Sequence, residues 1–178
     1  PSEYIIERML KKDLLLPIDR NFGKTPDYLP NISPYIRREL NKTSQPGRTT
    51  TDYAVPYMWG TAGILYNRNA VTTPPTSWTD LWNPANRQRV TMFDYDLRMM
   101  AIAARLHGGS EDKMDSGFDV MAKRVAPNVI AWEPSPGKMA QMLQTGEAAL
   151  VVWGNGRVQS VVDQGAPVEF VYPRSEEH

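Results

Sequence analysis

An α/β fold built on a parallel or mixed sheet is what this sequence predicts, and three observations carry that reading. Between residues 89 and 173, short apolar runs of strand length alternate with helical stretches of about 10–15 residues, the pattern of successive βαβ units. Glycines fall where those helical stretches stop, at Gly108, Gly109, Gly146 and Gly165. No stretch reaches the roughly 20 apolar residues of a membrane span. The longest apolar runs, such as residues 148–153, have the length of a strand.

The elements follow in chain order. Residues 2–12 set Ile5, Ile6, Met9 and Leu10 at helical spacing, with Glu3, Glu7, Arg8, Lys11 and Lys12 between them. Ser2 is a natural N-cap, and Glu3 sits favourably in the first turn. Residues 14–18 read as a short buried strand or extended piece. Residues 26–40 form two short helices, because Pro30 and Pro34 interrupt a single one. Residues 41–51 are a loop by composition. Residues 53–67, rich in aromatic and β-branched side chains, predict two strands with close backbone approach at Gly60 and Gly63. Pro74 and Pro75 punctuate the chain, and Ser77 caps a short helix running to Trp82. Strands are then expected at 89–93, 129–132, 148–153 and 168–172, and helices at 97–106, 118–126, 136–144 and 157–164. Residues 72–173 make a self-contained lobe, whereas residues 1–50 look like part of something else.

Composition narrows the function classes. The 178 residues suffice for one or two domains, each able to bury a core. Twenty Lys and Arg balance 20 Asp and Glu, so the dense cationic footprint of a general polyanion binder is missing. The sequence contains 0 Cys, which removes disulfides, zinc fingers, iron–sulfur ligation and cysteine nucleophiles together. The chain opens PSEY with no basic stretch followed by an apolar one, so no signal peptide is read there. Its first residues instead read as a chain beginning at a strand-to-helix corner.

The short motifs have ordinary explanations. SPGK at 135–138 matches the S-x-x-K pattern of penicillin-recognising serine enzymes, but its S-D-N and K-T-G companions are absent. Ser135 as N-cap with Pro136 at the first helical position accounts for it. Gly154-Asn155-Gly156 follows a strand and precedes a helix, as in a dinucleotide-binding turn, yet Gln159 stands where the third glycine belongs. A glycine-rich corner facing a cleft remains, since glycine permits close backbone approach. Asp94 and Asp96 lie where a strand gives way to a helix, at the carboxyl ends where open α/β sheets bind ligands. They fit helix capping and ligand contact equally. His107 ends a helix and His178 ends the chain, and no metal set or Ser/His/Asp triad can be assembled. Trp59, Trp132 and Trp153 stand at or next to strand ends. Of these, Trp153 beside Gly154 and Gly156 is a candidate ligand platform.

Taken together, these residues resemble a known family. PSEY at 1–4 before a helix, YAVPYMWGTAGILYN at 53–67 and SWTDLWNP at 77–84 are followed in order by PNV at 127–129, QTGE at 144–147, VWGNG at 152–156 and GAPVEFVYP at 165–173. The combination, spread over nearly the whole chain, resembles the extracytoplasmic solute-binding proteins of bacterial ABC importers, above all the spermidine/putrescine-binding group. The resemblance implies a type II periplasmic-binding-protein fold, whose two lobes close on a ligand. Residues 1–65 would be a partial first lobe with crossover strands, 72–173 a complete second lobe and 174–178 a tail. This chain would thus be an incomplete member of the family.

Carried over by position, the ligand site would use Ser2, Tyr4, Asp94, Tyr95, Asp96, Arg98, Ser135, Trp153 and Asn155. Polyamine-binding members resemble this pattern with acidic residues where Tyr95 and Arg98 stand here. Arg98 would repel an ammonium group and grip a carboxylate or phosphonate, and a helix N-terminus at Ser135 facing the cleft would also favour an anion. The resemblance implies a monomeric periplasmic receptor without cofactor. It would capture a polyamine-like solute, or an amine or anionic organic one, between its lobes and deliver it to a membrane permease and ATPase. Two other readings compete. One is a small α/β enzyme with Asp94 or Asp96 as general base and Arg98 holding an anionic substrate. The other is an interaction domain with no small ligand.

Overall fold

The computed structural model describes residues 3–19, 29–94, 97–110 and 113–174. They fall into two compact units, Pro1–Trp59 and Gly60–His178.

In the first unit the amphipathic run forms α1 (Glu3–Lys11), with Leu10 buried; the predicted cap, Ser2, lies outside the described residues. Arg48 holds the end of α1, donating to the Leu10 carbonyl (3.0 Å) and pairing with Asp13. The second helix, α2 (Pro34–Asn41), starts at the proline, whose missing N–H costs nothing in the first turn. A single 3₁₀ turn, Leu29–Asn31, precedes it. The loop 42–52 is knit by hydroxyl groups: Thr50 is fully buried and shares hydrogen bonds with Thr43 and Ser44. Of the two readings of 14–18, a buried strand or an extended piece, the strand is not formed. Those residues carry no regular secondary structure, and Leu14 and Leu16 are 62% and 87% exposed, so apolar composition did not imply burial.

The second unit is a five-stranded sheet in the order β3-β2-β4-β1-β5, formed by β1 (Ala62–Asn67), β2 (Val90–Met92), β3 (Val129–Trp132), β4 (Leu150–Gly154) and β5 (Val168–Val171). β3, β2 and β4 are parallel, and β1 runs antiparallel to both β4 and β5, so the sheet is mixed as predicted. One face packs on α3 (Leu97–Arg105) and α4 (Asp115–Val120), through a core that includes Ile64, Tyr66, Met92, Met99, Val120 and Val152. The other packs on α5 (Pro136–Thr145) and α6 (Val158–Asp163), through Leu65, Met139, Leu143, Val151, Trp153 and Val161. With both faces covered, the inner strands read as unbroken apolar runs rather than alternating ones.

Three expectations shift. The region 53–67 yields one strand, not two: only Ala62–Asn67 pairs, while Val55, Tyr57, Met58 and Trp59 are exposed. Strand propensity there had no neighbouring edge to satisfy it. The break between the two units falls after Trp59, and β1, which begins within the stretch read as partial first lobe with crossover strands, is an interior strand of the second unit's sheet. The predicted helix 118–126 is α4 extended by a π turn, Met121–Val125, and a 3₁₀ turn, Ala126–Asn128. Of the expected tail, Arg174 is tied back to the Thr76 carbonyl (2.9 Å), and 175–178 lie outside the described residues.

Two glycines set close approaches. A Cβ on Gly63 would stand 2.5 Å from both the Phe170 ring and the Val171 carbonyl oxygen, so β1 meets β5 there only as glycine. A Cβ on Gly117 would meet the Met100 carbonyl and stand 2.8 Å from the Ala104 nitrogen, which lets α4 close on α3.

Candidate functional site

Because β2, β3 and β4 are parallel, their carboxyl ends lie together at one end of the sheet. β1 starts at that end, with Ala62 opposite Gly154, and β5 finishes there, with Val171 opposite Ile64. This is the end at which open α/β sheets bind ligands. It gathers Asp94, the turn from Glu133 to Ser135, Asn155, Thr61 and Tyr172.

Asp94 follows β2, is exposed, and makes no hydrogen bond or ion pair among the described residues. Arg98, also exposed, stands in the first turn of α3 and is engaged by a neighbouring group. Of the other expected contacts, Ser2, Tyr95 and Asp96 lie outside the described residues. Tyr4 belongs to α1, but its side chain is not among those described.

Ser135 caps α5 as the sequence predicts, its Oγ accepting the Lys138 N–H at 3.4 Å. The helix N-terminus is nevertheless already served by an anion. Glu133, buried after β3, accepts the Ser135 N–H (3.1 Å) and pairs with Lys138 Nζ (2.9 Å). The hydrogen bond from Lys138, then that from the Ser135 backbone, holds the Glu133 carboxyl below its usual range against the opposing effect of burial. The same pairing raises Lys138. The start of α5 thus already carries one carboxylate from within the chain, which satisfies the Ser135 N–H.

Asn155 ties three strand ends together. Its Oδ1 accepts the Thr61 N–H (3.3 Å), its N–H donates to the Thr61 carbonyl (2.9 Å), and its Nδ2 donates to the Tyr172 hydroxyl (3.3 Å). Thr61 Oγ1 donates to the same hydroxyl at 3.2 Å. These two donors, Thr61 first, lower the Tyr172 pKa. With its oxygen accepting twice, the Tyr172 hydroxyl has its own proton left to donate outward. Phe170 meets the Tyr172 ring edge-on, with centroids 5.0 Å apart.

Trp153 is not an open platform. It is 3% exposed, packed edge-on against Phe93 (centroids 6.4 Å apart), and its buried Nε1 has no hydrogen-bond partner.

Beside Asp94 the chain leaves a pocket of about 280 Å³, bounded by α3, α4 with its π turn, and the end of β3. Its wall is apolar, and Asp94 is its only ionisable lining residue among those described. Sequence reading missed this pocket, together with the roles of Glu133, Thr61 and Tyr172. A glutamate two residues before an N-cap serine was the one local signal for Glu133. Among the described residues no group of three or more His, Cys, Asp or Glu could hold a metal ion. No helix there is long and apolar enough to cross a membrane.

Comparison with known proteins gives a consistent picture. The profile of the family described as bacterial extracellular solute-binding protein matches residues 2–175. The spermidine/putrescine-binding periplasmic protein of Salmonella typhimurium is 29% identical over 180 residues, covering 98% of this chain and 48% of that protein. Among solved structures, the TpPotD lipoprotein of Treponema pallidum superposes with a TM-score of 0.75 at 21% identity, covering 97% of this chain and 53% of its own. A spermidine/putrescine ABC transporter substrate-binding protein from Streptococcus pneumoniae does so with a TM-score of 0.67 at 24% identity, over 97% and 51%. The chain spans about half the length of the curated relatives it matches.

Proposed function

Since the chain belongs to the bacterial extracellular solute-binding protein family, we propose that it is the solute-capturing part of an ABC-importer receptor and that its solute carries an amine. The family and its relatives are binding proteins, not enzymes, so Asp94 and Arg98 are read as ligand contacts rather than as base and substrate clamp. Delivery to a membrane permease, action outside the cytoplasm and a monomeric state are part of the same proposal. The periplasmic relatives support the second of these.

One observation carries the ligand class: the Asp94 carboxylate at the strand end has no partner among the described residues. A carboxylate in that position offers an ammonium group a charge-assisted hydrogen bond. The anionic alternative rests on Arg98 and on the α5 N-terminus, and at the latter Glu133 already accepts the Ser135 N–H. What favours an anion is Arg98, and the experiment sets the two against each other. The full-length gene product is melted with a panel of amines (putrescine, spermidine, 2-phenylethylamine) and a panel of carboxylates and phosphonates. A ligand at about 100 times its Kd adds roughly 2.7 kcal/mol of stability, a shift of several degrees. Amines should raise the melting temperature, and Asp94→Asn should remove the effect. A rise given by anions alone, and lost in Arg98→Ala, would overturn the amine assignment.

A further inference from the structure

We propose that the pocket beside Asp94 is the compartment that selects the solute, taking the apolar body of a monoamine whose ammonium group pairs with Asp94. This rests on the receptor reading above and narrows its ligand class.

The pocket's size sets the first limit. At about 280 Å³ it stands near the lower end of small-molecule sites. It has room for one ring or a branched alkyl group, not for a large polar ligand.

Its chemistry sets the second. The walls are Phe93, Leu97, Met100, Phe118, Met121 and Trp132, with no charged group among them. Phe118, Leu97 and Trp132 are 63%, 55% and 44% exposed. Three large apolar side chains left in water around one concavity are unusual for a surface without a partner. Three aromatic rings beside a single free carboxylate suit an organic cation, through ring faces and ion pairing together. A carboxylate or phosphate ligand would meet Asp94 as a like charge.

The backbone is shaped to make this space. Gly117 draws α4 onto α3. The chain then widens into the π turn Met121–Val125, which brings Met121 and Ala122 into the wall. Insertions of this kind are frequent at functional sites.

The same features separate a monoamine from a diamine. Putrescine anchored at Asp94 would push its second ammonium against apolar walls, where no carboxylate among the described lining residues awaits it. That charge would lose its water with nothing in return. A ligand with one ammonium and an aromatic or branched body leaves no charge stranded.

Calorimetric titration of the full-length gene product with 2-phenylethylamine and with putrescine tests this, on the wild type and on Asp94→Asn, Ala122→Trp and Phe118→Ala. Ala122→Trp fills the pocket. Phe118→Ala removes an exposed wall, so the fold has little to lose by it. The expected result is saturable one-to-one binding of 2-phenylethylamine, about tenfold or more tighter than putrescine and weakened about tenfold or more by each variant. Putrescine binding as tightly as 2-phenylethylamine, or 2-phenylethylamine binding that ignores Ala122→Trp and Phe118→Ala, overturns the proposal. If putrescine binds tightly while 2-phenylethylamine does not, the pocket assignment falls and the receptor reading stands. If no amine binds, both fall.

Discussion

At the scale of single residues, the strand-end site depends on which charges are already spent. Glu133 illustrates this: a buried carboxylate that pairs with Lys138 and the Ser135 N–H, whereas Asp94 has no partner among the described residues. The pairing has a pH signature. The folded Glu133 carboxyl titrates below its ordinary value of 4.5. Its contribution is therefore fully present above the unfolded value and is lost as pH falls through the lower folded one. Denaturant midpoints measured from neutral to acid pH should fall more steeply for the wild type than for Glu133→Gln across that window. Parallel pH profiles would show that the pair does not form. A second test concerns Gly63. Ala there forces a Cβ onto the Val171 carbonyl and the Phe170 ring, which should destabilise by about 1–3 kcal/mol in equilibrium unfolding. Of the site residues, Ser135 was legible, because an N-cap before proline is a local signal. Trp153 was not. In a strand covered on both faces, Val151 and Trp153 alternate with Leu150 and Val152, and composition does not tell which ring stays buried.

At the scale of elements, the regular part of the chain could be read closely and the irregular part could not. The strands at Val90–Met92, Val129–Trp132 and Val168–Val171, and the helix Pro136–Thr145, lie within a residue or two of their expected bounds. Each is punctuated by caps, prolines or glycines, whose effects are local. The failures were all decided by distant partners. Residues 14–18 and 53–61 are as apolar as true strands, yet they pair with no strand among the described residues. The π turn after α4 carries no sequence signature, because it depends on how that helix packs against α3. For the same reason the pocket it borders was invisible in the sequence.

At the scale of the whole molecule, the α/β class, the mixed sheet and the family were all legible. The sheet's alternating architecture is written in periodicity, and the family in ordered motifs that match over residues 2–175. The boundary between units was less so. β1 is joined to its sheet neighbours by pairings with β4 and β5, which follow it by more than 80 residues in sequence. We propose that the carboxyl end of this sheet, with the pocket beside Asp94, is the face that meets solute. Hydrogen exchange of the full-length gene product, with and without saturating 2-phenylethylamine or putrescine, tests it most directly. Ligand should slow exchange in the segments following β2, β3 and β4 and along the π turn, with the rest of the sheet unchanged. Protection confined to other surfaces, or none at all, would contradict it.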